Sequence, residues 1–285
     1  MSMLGLALVL LAACCHATWN LYVKRINAGP ELVWLFSVVS VVIYLPVAVL
    51  VWIFEQPDLG PLELGFIGGS AALHLGYFLL LQRGYRFGDL SVVYPTARAT
   101  GPLLSSGFAV LVLGEQLSAQ ALLGVVAIVG GVLLLSGGLS ASSHRVSRSL
   151  LFGLAVGALI GGYTVWDAYA VATLMIPPLL LDYVSSIGRT LLLAPLAARR
   201  KAAVRTLWRE QRFGVLCIAL LSPLAYILVL YALTFTPVVY VAPAREVSVP
   251  LSVLLGAWLL GEPDLRRRLV WAAVVFAGVV LLASG

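Results

Sequence analysis

Apolar stretches long enough to cross a bilayer follow one another along almost the whole 285-residue chain. They run over about 3–23, 32–54, 63–82, 89–113 and 117–137, and then 150–172, 178–198, 214–235, 238–260 and 268–284. A spanning helix needs about 20 mostly apolar residues, because the hydrocarbon core is ~30 Å thick and each residue rises ~1.5 Å. Ten such helices with short links use up nearly all of the sequence. No stretch remains for a separate soluble domain. The expected fold is all-α and integral to a membrane, with ten transmembrane helices. Only 11% of the residues are charged, against roughly 25% in a soluble domain.

Shifting the sequence by 147 positions lays it on itself. Trp19-Asn20-Leu21-Tyr22 meets Trp166-Asp167-Ala168-Tyr169, and Pro30 meets Pro177. Arg98 meets Arg245, and Leu104-Ser105 meets Leu251-Ser252. Leu113-Gly114-Glu115 meets Leu260-Gly261-Glu262, and Gly131-Val132 meets Gly278-Val279. A single offset that holds from the first helix of each half to the last marks a duplication. The halves are expected at 1–138 and 150–285, joined by a cytoplasmic linker at 139–149. Five helices per half is an odd number, so the second half enters the membrane from the opposite side. Inverted repeats of this kind recur in transporters, with the substrate site near the midplane between the halves.

The net charge of +6 does not point to nucleic acid, because the basic residues sit in short links between apolar runs. The links after helices 1, 3, 5, 7 and 9 carry Lys24 and Arg25; Arg83 and Arg86; Arg145 and Arg148; six residues from Arg199 to Arg212; and Arg266, Arg267 and Arg268. The alternate links and both ends carry none. Positive charge stays in the cytoplasm, so both termini are expected outside the cytoplasmic (inner) membrane. The 199–212 link, with Trp208 among its arginines, is expected to lie on anionic headgroups. Cys14, Cys15 and Cys217 all fall in apolar runs and read as small packing residues. Leu11-Ala12-Ala13-Cys14 resembles a lipoprotein cleavage site. The start Met1-Ser2-Met3 has no Lys or Arg, however, and Trp19–Tyr22 is repeated in the second half, so helix 1 is expected to be retained.

His16-Ala-Thr-Trp-Asn20 with Lys24 on helix 1, the Leu-Gly-Glu triplet closing helices 4 and 9, and a Gly/Val/Leu-rich fifth helix after each triplet carry a family resemblance. The chain resembles the drug/metabolite transporter superfamily, specifically proteins with two EamA domains, over essentially its full length. The resemblance implies export or exchange of small metabolites, amino acids or drug-like compounds. It names no substrate. Many such relatives keep their termini in the cytoplasm, so the orientation given by the charges is a departure.

Charge within hydrocarbon costs about 2.5 kcal/mol or more per residue, which makes intramembrane charges functional candidates. There are six: Arg98, Asp167, Asp182, Arg189, Arg245 and Glu246. Arg98 and Arg245 occupy equivalent places, flanked by Pro95 and Pro102 and by Pro243 and Pro250. Proline removes an N–H and clashes with the preceding turn, so both helices are expected to kink there and free carbonyls toward a cavity. Two guanidinium forks facing one cavity would clamp a carboxylate or phosphate. The bland alternative pairs Arg245 with Glu246 or another acid and leaves Arg98 in a wet vestibule.

His16, Asn20 and Lys24 share a face of helix 1 with Trp19 beside them, and Tyr163 and Trp166-Asp167 repeat the stripe on helix 6. These stripes are expected to line the transport path, the alternative being hydrogen bonds between packed helices. Asp182 and Arg189, meeting through Ser186 with Ser185 nearby, are expected to pair structurally. Ser37, Ser40 and Tyr44 on helix 2 and His74 and Tyr77 on helix 3 are expected to add hydrogen bonds to the cavity. Glu115 and Glu262 are expected to cap the first turn of the helix that follows each of them.

The expected function is a secondary transporter moving a small metabolite by alternating access, as an exporter or exchanger. Its expected partners are that substrate, the bilayer, and a coupling proton or counter-substrate, with no cofactor and no metal. No Walker sequence is present, so ATP is not the direct energy source. A flippase for a lipid-linked anion would use the same arginines. A membrane-embedded lipid-modifying enzyme fits less well, because three scattered histidines have no metal-ligand spacing. A non-transporting scaffold leaves the buried charges unexplained.

Overall fold

A computed structural model describes residues 1–87, 90–135, 146–260 and 265–285. The described residues are predominantly helical, with short links and no strand among them. In lipid each backbone N–H and C=O must be satisfied within its own segment, and helices do this. The elements are α1 (Met3–Ile26), α2 (Pro30–Glu55), α3 (Pro61–Phe87), α4 (Leu90–Val112), α5 (Ala119–Leu135), α6 (Val146–Ala172), α7 (Pro178–Arg199), α8 (Lys201–Leu233), α9 (Val238–Ala244), a 3₁₀ turn (Arg245–Val247), α10 (Ser248–Leu260) and α11 (Leu265–Ser284). Among the described residues, six stretches are long and apolar enough to cross a membrane: Met3–Val23, Pro30–Glu55, Pro61–Leu81, Ser149–Ala172, Pro178–Arg199 and Lys201–Leu233. The Glu262 and Arg145 readings, and most of the expected linker, lie outside the described residues.

Local sequence sets the helix ends. Ser2 Oγ accepts from Gly5 N at 3.1 Å and caps α1. Asn27 adopts the left-handed conformation that closes it. Pro30 and Pro178 open α2 and α7, where the missing N–H is no loss. The basic 199–212 segment is itself helical, forming the first turns of α8 before a break at Gln211 (φ −124°, ψ 22°).

Large apolar side chains cover the outside: Phe54 is 80% exposed and Leu111 83%. Such a surface suits lipid and not water. Small residues let the interior helices approach closely. On α6, Gly153 abuts Thr96, Gly157 abuts Thr100, and Gly161 abuts Leu104, all on α4. On α5 and α11, a Cβ at Gly124 would stand 2.6 Å from the Leu282 nitrogen, and one at Gly278 would stand 2.9 Å from the Gly124 oxygen. With Gly131 against Val275 and Trp271, these contacts make α5 and α11 antiparallel.

Across the bundle, α1 packs on α8 and α10, α2 on α7 and α8, α3 on α6 and α7, and α4 on α6 and α9. The Met1 amine donates to the Ala283 carbonyl at 3.2 Å, so the two ends of the chain share one face.

Two helix 2 residues differ from their expected cavity role. Pro223 on α8 gives no N–H to the Ala219 carbonyl four residues back, and its ring crowds that turn. Ser40 Oγ donates to the Ala219 carbonyl at 2.8 Å, and Tyr44 OH donates to the Leu220 carbonyl at 2.6 Å. Ser40 supplies the donor that Pro223 withholds from Ala219, and both side chains join α2 to α8. Ser37 is buried and makes no hydrogen bond among the described residues.

Candidate functional site

The site begins where one helix tightens. Pro243 and Pro250 bracket Arg245-Glu246-Val247, and the α-helix gives way there to a single 3₁₀ turn between α9 and α10. The irregularity expected in this half is therefore a local 3₁₀ tightening, with Ala244, Arg245 and Ser248 keeping right-handed helical dihedrals. The equivalent helix, α4, runs unbroken past Arg98, although Pro102 denies the Arg98 carbonyl its usual N–H partner.

Arg98 reaches across to this turn. Its Nη2 lies 3.0 Å from Glu246 Oε2 and donates to Ser248 Oγ at 3.2 Å. Arg245 Nε lies 3.8 Å from Glu246 Oε1. The two arginines that coincide under the 147-residue shift thus converge on one carboxylate, which is 1% exposed. Neither oxygen of Glu246 is hydrogen-bonded in good geometry among the described residues, and neither is Arg245 Nε. The Arg245 guanidinium sits 5.9 Å from the centre of the Tyr163 ring, within cation–π range.

Tyr163 leads to a second polar group. The His74 ring lies 4.2 Å from it, Tyr77 5.8 Å and Tyr226 6.4 Å. Asp167, fully buried, accepts a 2.5 Å hydrogen bond from Tyr226 OH, and His74 Nε2 stands 3.5 Å from the same oxygen. His74 and Tyr77 therefore belong to this cluster through their rings. Tyr226 and Ser248 were not singled out from the sequence. A tyrosine three residues after Pro223 in an otherwise apolar span was the available signal, since a buried phenol needs a polar partner.

On α1, Asn20 Nδ2 donates to His16 Nδ1 at 2.7 Å, and the Trp19 ring meets His16 edge-on at 4.9 Å. Trp19 Nε1 is buried without a hydrogen bond among the described residues. His16 is within electrostatic reach of Arg98 and Arg245, which joins the α1 stripe to the arginine site. The Lys24 side chain lies outside the description.

Trp166 departs from the expected path-lining role. It stacks on Phe66 at 4.3 Å and donates Nε1 to the Phe66 carbonyl at 2.9 Å, against Gly69. It holds α6 to α3. Arg189 donates to Ser186 at 3.2 Å, one of the two contacts that the pairing expected on helix 7 would need.

Glu115 does not cap the helix after it, a role taken by Ser118 Oγ, which accepts from Ala121 N at 3.0 Å. Its two oxygens accept from Val238 N at 2.8 Å and Val239 N at 2.9 Å, at the start of α9 in the other half. Glycine at 114 (φ +68°) turns the chain so that the carboxylate can cross.

Two open clefts lie at opposite ends of the spanning part of α8, not at the polar cluster. One, about 610 Å³, is lined by Tyr22, Arg25 and residues 209–214. The other, about 440 Å³, surrounds Glu115, Thr173 and residues 233–238.

An all-helical bundle with a lipid-suited exterior and charges gathered at its centre is a multi-pass membrane protein of the transporter kind. The chain belongs to the EamA-like transporter family, which it matches over two repeats, residues 3–137 and 147–284. It is thus a membrane transporter of the drug/metabolite type. Among solved structures it is similar to one described as a crystal structure of a protein, at 15% identity and a TM-score of 0.72, covering 97% of this chain and 95% of that one. At that identity the likeness concerns the fold alone. No curated protein matches the sequence.

Proposed function

We propose that this protein is a secondary transporter for a small metabolite bearing a carboxylate or phosphate, which binds between its halves at Arg98 and Arg245. The observation that carries this is the convergence of two part-buried, repeat-related guanidinium groups on one buried carboxylate at a proline-flanked 3₁₀ turn. Charged groups inside a bilayer are costly and mark substrate paths, and the binding site of a two-repeat transporter lies near the midplane between its halves. Arg245, with a long ion pair and an unused Nε donor, keeps capacity for an incoming anion. Tyr163, Tyr77, His74 and His16 supply aromatic and polar walls, and Asn20, Trp19 and Asp167 hold them in place.

The ten-span, inverted arrangement with halves at 1–138 and 150–285 and a linker at 139–149 is part of this reading, and the packing supports it. First helices meet third helices of the other half (α1 with α8, α6 with α3), and second helices do the same (α2 with α8, α7 with α3). The fourth meets the first (α4 with α6, α10 with α1), and like meets like in α2 with α7 and α5 with α11. Exchanging the halves maps each of these pairings onto another of them or onto itself, which fits a two-fold relation between the halves. The protein resides in the cytoplasmic membrane with both termini outside, and rocking of the halves exposes the site to each face in turn. Efflux or exchange is driven by a proton or a counter-substrate.

The test is access from water. With Cys14, Cys15 and Cys217 replaced, a cysteine at Asn20 is expected to react with a small water-soluble thiol reagent, and one at the lipid-facing Leu11, 53% exposed, is not. Equal inertness at both positions would contradict a transport path through this face of α1.

A further inference from the structure

The 610 Å³ cleft outside the central site is built from the end of α1 and the break in α8. Gln211 leaves the helical conformation, and Gly214, three residues later, lets α1 approach so closely that a Cβ there would meet Ile26 at 2.9 Å and Tyr22 at 3.4 Å. The result gathers Arg25, Arg209 and Arg212 around one opening, with Glu210 as the single acid lining it. Among the described residues no carboxylate pairs with any of the three arginines. Arg200, by contrast, is engaged by Glu31 at 2.9 Å. Three exposed cations against one acid form a receptor for an anion.

The neighbouring surface specifies which kind of anion. Phe213, 66% exposed, lines the same cleft and meets Tyr22 edge-on at 5.9 Å. Leu216 and Leu220, both exposed, follow Phe213 at three and seven residues on α8, so the three lie on one helical face. An apolar track thus runs down the spanning helix from a basic opening. A free phosphate has no use for that track, whereas a phospholipid has an acyl chain to lay along it. Trp208, also exposed, adds the amphipathic aromatic that favours the headgroup level.

We propose that this cleft binds the phosphate headgroup of an anionic phospholipid through Arg25, Arg209 and Arg212, with an acyl chain along Phe213, Leu216 and Leu220. A bound lipid would join the end of α1 to α8, two helices that also flank the central site. The proposal is independent of the transported substrate.

The experiment titrates the delipidated full-length protein, in neutral detergent, with phosphatidylglycerol or phosphatidylcholine and counts bound lipid by native mass spectrometry. Phosphatidylglycerol is expected to be retained over phosphatidylcholine, and equimolar inorganic phosphate is expected not to displace it. An Arg25→Gln, Arg212→Gln double variant is expected to weaken phosphatidylglycerol binding roughly tenfold to thirtyfold. Glu210→Gln is expected to strengthen it several-fold, a gain that a damaged protein cannot mimic. Unchanged retention in the double variant, equal retention of the two lipids, or displacement by phosphate would each overturn the proposal.

Discussion

Arg98 Nη2 and Glu246 Oε2 lie 3.0 Å apart at the centre of the bundle, one contributed by each repeat of the chain. This contact ties α4 to the 3₁₀ turn between α9 and α10. It also sets a competition, because Arg245 approaches the same carboxylate from the other side. Removing Arg98 leaves a carboxylate that is 1% exposed with only a 3.8 Å partner. Breaking a buried pair in this way costs about 3–5 kcal/mol, whereas removing both charges costs far less. Arg98→Gln is therefore expected to lower the melting temperature of the detergent-solubilised protein, and adding Glu246→Gln is expected to restore much of it. A double variant no better than Arg98→Gln would show that the pair is not what holds this region.

Glu115 makes a separate tie between the repeats. Replacing it with Ala removes both acceptors at Val238 N and Val239 N, and loss of a helix cap costs about 0.5–2 kcal/mol. Ser118→Ala is expected to fray α5 by a comparable amount without disturbing the start of α9. Hydrogen exchange over residues 235–242 is the measurement, with faster exchange expected in Glu115→Ala only.

The proline at 223 and the hydroxyl at Ser40 are coupled through one carbonyl, that of Ala219. Ser40→Ala leaves this carbonyl short of a donor and is expected to cost about 1–3 kcal/mol. In a Pro223→Ala background residue 223 regains its N–H, so the Ser40→Ala penalty is expected to shrink. A double-mutant cycle read by thermal unfolding gives the coupling directly. Purely additive costs would mean that Ser40 matters for another reason.

The α5–α11 contact offers a paired glycine test. A Cβ at Gly124 would press on backbone atoms of α11 at 2.6 and 2.7 Å, whereas nothing stands within 4 Å of one at Gly130. Gly124→Ala is expected to destabilise by about 1–3 kcal/mol, as overpacking does. Gly130→Ala is expected to be neutral or slightly stabilising, since alanine is the better helix former. Similar melting temperatures for the two variants would contradict the close approach.

Much of this architecture was legible in the sequence because lipid imposes a simple rule. Any stretch of sufficient length and apolarity becomes a helix, so the runs at 32–54 and 178–198 reappear as α2 and α7 with ends moved by two residues or fewer. The offset of 147 residues likewise pointed to Arg98 and Arg245 before their meeting was seen. What the sequence hid is where a side chain crosses to another helix. Glu115 reads as a local cap because its nearest helix start is at Ala119, yet the fold brings Val238 to it. Trp166 and Asp167 are adjacent and share one polar stripe, but Trp166 joins α6 to α3 while Asp167 meets Tyr226. Ser40 looks like a cavity residue until Pro223, far along the chain, is found to have freed its acceptor, the Ala219 carbonyl.

Binding at the arginine pair is measured most directly by the affinity of an anionic metabolite for wild-type protein and for Arg245→Gln, with Arg98→Gln alongside. Ligands come from a thermal-shift screen of carboxylate- and phosphate-bearing metabolites and their neutral amides or alcohols. The expected hits carry the anion and lose activity when it is neutralised. A charge-assisted contact contributes about 1.5–3 kcal/mol, so Arg245→Gln is expected to weaken binding roughly tenfold to a hundredfold. Arg245→Lys is expected to recover part of that, because an ammonium lacks the planar fork. Unchanged affinity in well-folded Arg98→Gln and Arg245→Gln proteins, or hits indifferent to the anion, would contradict the assignment of this site.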